Sequence, residues 1–214
     1  MRVQGLEWNE AAQSVEAVSE LLYHELVLQS SRDAQPDERI ASEMLARKAI
    51  EAGIDRFVDG DALKSLLSRI EFAGREAPNI QQALSELYRG LRSFAELKRA
   101  AVDFIPFLEQ QMEVHHLRET APASLRLQSG RQTKIHYEQG KKPWIASRLQ
   151  DFFGMRETPR IGKNKTPVVV HLLAPNHLAV QTTTDLAGFW ERLYPQVRRE
   201  LMRRYPKHAW PEGP

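Results

Sequence analysis

The sequence contains no cysteine, which excludes a disulfide framework, a thiolate zinc site and a cysteine nucleophile. No apolar run approaches the ~18–20 residues that a membrane span needs. The N-terminus lacks a basic segment followed by an apolar one, so no secretory leader is expected and a cytoplasmic setting is the default. Missing too are a GxxxxGK[ST] phosphate loop, an HExxH helix and a GxSxG elbow. Gly154, Gly162 and Gly188 form no dinucleotide fingerprint. His115 and His116 are adjacent, so on a helix they diverge by about 100°, whereas a metal pair prefers i,i+4. The chain is therefore expected to hold no metal, no cofactor and no catalytic site of its own.

What the chain does have is an uneven charge. Residues 1–120 carry 14 Lys and Arg against 21 Asp and Glu, while residues 121–214 carry 16 against 7. With 214 residues there is room for one large or two small domains. The split suggests two units, with a polyanion or an acidic partner for the second. Charge segregation of this size also occurs without any such partner.

The first 120 residues read mainly as helices. Residues 6–28 are ambiguous: Val15, Val18, Leu22 and Leu26 fit a helix, while LEW and LVL fit short strands. Residues 29–35 read as a polar loop. A helix opens at Pro36-Asp37 with Ile40, Met44, Leu45, Ala49 and Ile50 on one face, and Gly53 is placed to stop it. Further helices start near Asp59 or Asp61, at Asn79 and at Ser93, all residues suited to capping. In the second, Leu63, Leu66, Leu67 and Ile70 point inward. Pro106 divides or starts a later turn. This acidic bundle carries no pointed chemistry.

After Pro122 the period changes to two. Residues 124–128 and 131–138 flank Ser129-Gly130 as a β-hairpin. Residues 143–154, PWIASRLQDFFG, read as a short helix with Trp144, Ile145, Leu149, Phe152 and Phe153 buried. Residues 158–175 read as strand, basic loop and strand, with Asn164 in the turn, and 178–183 as a last strand. The order β-β-α-β-β-β-α implies a compact α+β domain whose sheet is covered by helices. His171, on a strand and facing away from Val170 and Leu172, reads as a satisfied or surface histidine rather than a base. Asp185 reads as a helix cap and Asp151 as a partner for Arg148.

The closing stretch, 184–211, is the most informative. Leu186, Phe189, Trp190, Leu193, Val197, Leu201 and Met202 recur at helical spacing. Pro195 breaks the stretch into two helices or begins a second one at its first turn. The helix must end before Pro206, leaving a basic aromatic tail. Arg160, Lys163 and Lys165 on the loop, with Arg192, Arg198, Arg199, Arg203, Arg204 and Lys207 on the helix and tail, suit phosphate neutralisation. Trp210, Tyr205 and His208 could stack on single-stranded bases, or pack the tail onto its own domain.

These residues also carry a resemblance. DLAGFW (185–190), YPQVRRELMRRYPKHAWPEGP (194–214), RLQDFFG (148–154) and VVVHLLAP (168–175) resemble the C-terminal region of the HrpB-type bacterial ATP-dependent helicases of the DEAH-box group. In that family the helix reads DLAxFW followed by YxxVRKxMxGRYPKHxWP; here Arg203 stands in place of glycine and Arg199 in place of lysine. LEWNEAAQSVEAV resembles EWDEAxGxVxA, from the strands that end the family's oligonucleotide-binding-type barrel. It favours a β-hairpin over 6–28, although Gln13-Ser14 replaces the turn glycine.

The resemblance implies three parts: a partial barrel-like hairpin (1–30), an acidic helical bundle or connector (31–121) and a basic α+β domain (122–214) with a mostly antiparallel sheet. It implies an auxiliary, nucleic-acid-binding region of an ATP-dependent RNA helicase. The family's phosphate loop, acidic box and arginine fingers lie upstream in two RecA-like domains, with ATP and Mg as cofactors, and none of them is in this sequence. The implied partners are single-stranded or structured RNA, or DNA, and motor domains in cis or in trans, with no membrane. The alternative is a protein-docking module without direct nucleic-acid contact.

Overall fold

Three antiparallel strands open the chain: the hairpin that the resemblance implies over 6–28, extended by a strand where a polar loop is read. The computed structural model describes residues 2–23, 26–34, 37–100, 103–112 and 114–213, with the side chains of 2–4, 21–23, 26–28, 32–34 and 114–116 outside the description. The expectation for His115 and His116 falls on those side chains. Strands β1 (Arg2–Asn9), β2 (Ser14–Tyr23) and β3 (Leu26–Ala34) pair in the order β1-β2-β3. The segment that reads as a polar loop is thus largely strand: a ladder partner supplies hydrogen bonds that polar composition does not forecast. The β1–β2 turn places Gln13 at φ 49°, the left-handed region that the resemblance fills with glycine.

Contacts between Cα atoms divide the chain into two units, Met1–Leu66 with Ala77–Glu113, and Leu67–Glu76 with Val114–Pro214. The first holds the three-stranded sheet and helices α1 (Glu38–Glu51), most of α2 (Gly60–Phe72), α3 (Ile80–Leu87), α4 (Phe94–Ala100) and α5 (Phe104–Gln111). Each start follows local capping chemistry. The side chains of Asp37, Asp59 and Asn79 accept from backbone amides of the first turn of α1, α2 and α3. At α4, Ser93 and Glu96 form a reciprocal box: Glu96 Oε2 accepts from the Arg92 and Ser93 amides, and Ser93 Oγ from the Glu96 amide. Gly53, at φ 94°, ends α1 as expected.

The inward face of α1 differs from the expected one. Ala41, Ser42, Leu45, Ala46 and Ala49 are buried, whereas Ile40 and Ile50 are 44% and 40% exposed. Small residues let α1 approach α3 closely, and that approach sets the rotation of the helix. Phe94 then fills the space beside Trp8 and Phe57, with ring centroids 4.8 and 4.6 Å away.

The second unit contains the end of α2, α6 (Val114–Thr120) and strands β4 (Ser124–Arg126), β5 (Gln132–Lys134), β6 (Trp144–Arg148), β7 (Arg160–Ile161), β8 (Thr166–Pro167), β9 (Val169–Leu173) and β10 (Ala179–Thr183). The fold is α+β. Its three-stranded sheet runs β10-β9-β6, antiparallel between β9 and β10 and parallel between β6 and β9. Residues 143–154 are therefore strand β6 followed by a 3-10 turn, Leu149–Phe152, and not a helix. The side chain that β6 buries beside Ile145 is Ser147, whose hydroxyl donates to Asp151 Oδ2. A serine on the inner face hides the period-two pattern. Of the five residues expected to be buried here, Ile145, Leu149 and Phe152 are, while Trp144 and Phe153 are half-buried. Arg69, also buried, donates from Nε to the Ala121 carbonyl oxygen.

Pro195 lies in the first turn of a second helix, one of the two outcomes expected of it, and the join between the helices is irregular. One α turn, α7 (Leu186–Gly188), passes into a π turn (Phe189–Leu193) and then α8 (Tyr194–Arg204). The Tyr194 amide donates five residues back to Phe189, and Pro195, with no amide, follows in the first turn of α8. In an α-helix, residues five apart diverge by about 140°. The wider turn brings Phe189 and Tyr194 to the same side, both almost fully buried. It turns Leu193 outward to 43% exposure, and Met202 is equally exposed, although regular periodicity places both inward.

Candidate nucleic-acid interface

Polar contacts sort the eleven cationic and aromatic candidates into those engaged inside the fold and those left at its surface. Arg160, Lys163 and Lys165 come together on the β7–β8 turn. Arg160 Nη1 donates to the Lys165 carbonyl oxygen at 3.1 Å, and the Lys165 amide donates to Gly162. Gly162 lies at φ 74°, and a Cβ there would sit 3.0 Å from the Thr120 carbonyl oxygen. The turn therefore depends on glycine for two reasons. A cleft of about 210 Å³ beside it is lined by Phe72, Gly74, Thr120, Gly162, Lys163 and Asn164.

Arg192 is held by Asp185 at 2.8 Å. Asp185 caps α7 by accepting from the Gly188 amide, and that bond, followed by Arg192, holds its carboxyl below the usual carboxylate range. Arg198 is half-buried and donates from Nε to the Trp210 carbonyl oxygen at 2.8 Å. Trp210 is only 7% exposed, and its indole N–H donates to the Tyr205 carbonyl oxygen at 3.0 Å. Tyr194 Oη donates to the Pro211 carbonyl oxygen at 2.9 Å. The tail is thus strapped along α8, and His208 lies exposed between the rings of Tyr205 and Trp210.

Arg199, Arg203, Arg204 and Lys207 are exposed. Arg199 and Arg203 stand one turn apart on α8, on the flank away from buried Tyr194 and Leu201. Arg204 lies over the ring of Tyr205. No ion pair joins Arg199, Arg203 or Lys207 to a carboxylate among the described residues. Asp151, expected beside Arg148, accepts from the Arg148 backbone amide and pairs its carboxylate with Arg131 at 3.6 Å.

A second group of rings is invisible to a helical reading of 143–154. On the face of β6 and β9 opposite the core, Trp144 stacks on His136 with centroids 3.9 Å apart and planes 9° from parallel. His171 meets Trp144 edge-on at 5.0 Å. Glu138 accepts from the Trp144 indole N–H at 2.9 Å and is paired to Lys141. Thr182 Oγ1 lies 3.2 Å from His171 Nδ1. Burial, then the Lys134 charge, lowers the pKa of His136 below the ordinary histidine value. The alternation of Trp144, Ala146 and Arg148 is the signal that could reveal the group, since successive strand residues face opposite ways.

No group of three or more His, Cys, Asp or Glu able to hold a metal is present among the described residues, and none of their helices is long and apolar enough to cross a membrane. A family described as ATP-dependent helicase C-terminal, HrpB_C, matches residues 83–214. The ATP-dependent RNA helicase HrpB of Escherichia coli (strain K12) is 34% identical over 126 residues, covering 59% of this chain and 15% of that protein. Two solved structures are similar. The crystal structure of E. coli DExH-box NTPase HrpB has 25% identity and a TM-score of 0.77, covering 100% of this chain and 28% of that one. The crystal structure of E. coli DEAH/RHA helicase HrpB has 24% identity and a TM-score of 0.66, covering 98% and 28%. The chain thus spans less than a third of the length of these relatives.

Proposed function

This chain belongs to the ATP-dependent helicase C-terminal family, and from that premise we propose that it is an auxiliary nucleic-acid-binding region serving a helicase motor. One of its relatives is an RNA helicase by name, which favours RNA over DNA as the bound strand. In this reading ATP hydrolysis, with its Mg, belongs to motor domains supplied in cis or in trans in the cytoplasm. No catalytic role falls to any residue here. Residues 1–30 then act as part of an oligonucleotide-binding-type barrel, 31–121 as a connector and 122–214 as the basic binding domain.

The observation that carries the reading is the exposed pair Arg199 and Arg203 on α8, which no ion pair joins to a carboxylate among the described residues, whereas Arg192 is paired with Asp185 and Arg198 donates to the Trp210 backbone. Two arginines one turn apart repel each other, an arrangement that an anionic ligand relieves. Lys163, Lys165 and Lys207 add further exposed charge. The competing idea, protein docking through tail aromatics, is weakened by Trp210, because a side chain already inside its own core is poorly placed to anchor a partner.

Fluorescence anisotropy of labelled single-stranded RNA across a salt series tests this. Binding should weaken linearly in log salt, and Arg199→Glu with Arg203→Glu should reduce the slope by about 0.7 for each phosphate that is no longer neutralised. Absence of binding at low salt would overturn the proposal.

A further inference from the structure

We propose that the open face of the β10-β9-β6 sheet, centred on Trp144, His136 and His171, is a base-stacking platform for single-stranded nucleic acid. This rests on the nucleic-acid-binding reading and adds to it a site away from the helix cations.

The sheet buries one face only. Along β6 and β9 the inward residues Ile145, Ser147, Val170 and Leu172 alternate with half-buried Trp144, Ala146, Arg148, Val169, His171 and Leu173. The register sets Ala146 beside His171, and His171 beside Thr182, so the rings share a face. A backbone bridge between His136 and Trp144 extends that face across to β5. A parallel imidazole–indole pair with a second imidazole at its edge is a contiguous π surface, to which a planar base can add regardless of its sequence.

The charge around the rings fits the same occupant. Lys134 and Lys142 are exposed beside the rings on β5 and on the approach to β6, and Glu138 is engaged by Lys141 and the Trp144 indole. Arg148, on the Trp144 face, reaches His177 through Nη2, while its buried Nε has no partner among the described residues. A phosphate next to a stacked base would pair with the exposed Lys134 and Lys142. An acidic peptide could satisfy the cations but would leave the ring stack without a planar partner.

The test uses the whole chain with uridine-rich single-stranded RNA. Trp144→Ala should weaken binding about tenfold, within the range for loss of one stacked base, at an unchanged salt slope. Trp144→Phe should largely restore it. Because Trp144→Ala could disturb β6, single-stranded RNA carrying 5-iodouridine is also cross-linked to the wild-type chain. Adducts on Trp144, His136 or His171 support the platform. Adducts confined to the β7–β8 turn or α8, with Trp144→Ala binding as wild type, would overturn the platform and leave the proposed function standing. Equal competition by duplex RNA, whose bases are already stacked, would also overturn it. No wild-type binding at all would overturn both.

Discussion

Arg198 Nε donates to the carbonyl oxygen of Trp210 across 2.8 Å, so a residue that reads as a phosphate ligand is a strap between α8 and the tail. Its sequence neighbour Arg199 is exposed. One step along the helix thus separates a structural cation from a surface one.

The two should respond oppositely to substitution. Arg198→Ala removes a hydrogen bond from a charged donor and should cost about 1.5–3 kcal/mol of stability, with the salt slope of RNA binding unchanged. Arg199→Glu should leave the melting temperature nearly as it is and lower the slope. Thermal melts followed by circular dichroism, run beside the anisotropy series, check both. Equal effects on both readouts would contradict the division.

Trp210 belongs to the core of its unit, not to its surface chemistry. Trp210→Ala should cost about 3–5 kcal/mol, as for other buried large-to-small aromatic changes, and should also leave the Tyr205 carbonyl oxygen without the indole donor. A shifted urea midpoint at constant m is the expected signature. A midpoint within error of wild type would place the ring outside the core.

Gln13 holds a backbone conformation that suits glycine better. Gln13→Gly removes a left-handed penalty of about 1–2 kcal/mol and adds about 0.5–1 kcal/mol of chain entropy. The net result should be a modestly higher melting temperature. The turn also carries tertiary bonds, from the Phe94 amide to the Gln13 carbonyl and from the Val15 amide to Arg92, which the substitution keeps. A drop in melting temperature would refute the strain account.

The Ser93–Glu96 box makes stability depend on pH. Amide donation from Arg92, ahead of the Ser93 bonds, holds the Glu96 carboxyl below its ordinary value of 4.5, although partial burial acts the other way. The folded chain therefore binds the proton less readily than the unfolded one. The stabilisation is present above pH 4.5 and is lost as pH falls through the lowered folded value. Glu96→Gln should flatten that part of the urea midpoint profile, and Glu96→Ala should cost about 1 kcal/mol at neutral pH, as lost caps do. Parallel profiles for wild type and Glu96→Gln would exclude the box as the source.

Local chemistry is the legible part of the sequence. Asp59, Asn79, Ser93 and Asp185 announce helix starts because a cap needs only neighbouring atoms. The basic turn at 160–167 and the last strand are legible for the same reason, from turn residues and alternation. What escapes a sequence reading depends on partners distant in sequence. The ladder of β3 lies with β2, and the rotation of α1 is set by α3. On β6, the inward Ser147 breaks an apolar alternation that otherwise distinguishes strand from helix.

The candidate site is legible as a set of charges but not as an arrangement. Charge counts treat Arg192, Arg198, Arg199 and Arg203 alike, while hydrogen bonds to Asp185 and to the Trp210 backbone already engage two of them within the chain. The Trp144 cluster emerges only once β6 is a strand, because its rings come from positions 136, 144 and 171.

The π turn at Phe189–Leu193 also bears on variation along the family. It houses one residue more than a regular helical turn needs, and it lies just ahead of the helix bearing Arg199 and Arg203. Loss of one residue within 189–193 could close the turn into plain α-helix and keep the downstream compass bearing of those arginines. The same loss inside α8 would swing every later side chain by about 100° and point Arg203 somewhere else. The direction in which this helix presents its charge is therefore buffered at its root and unforgiving along its length.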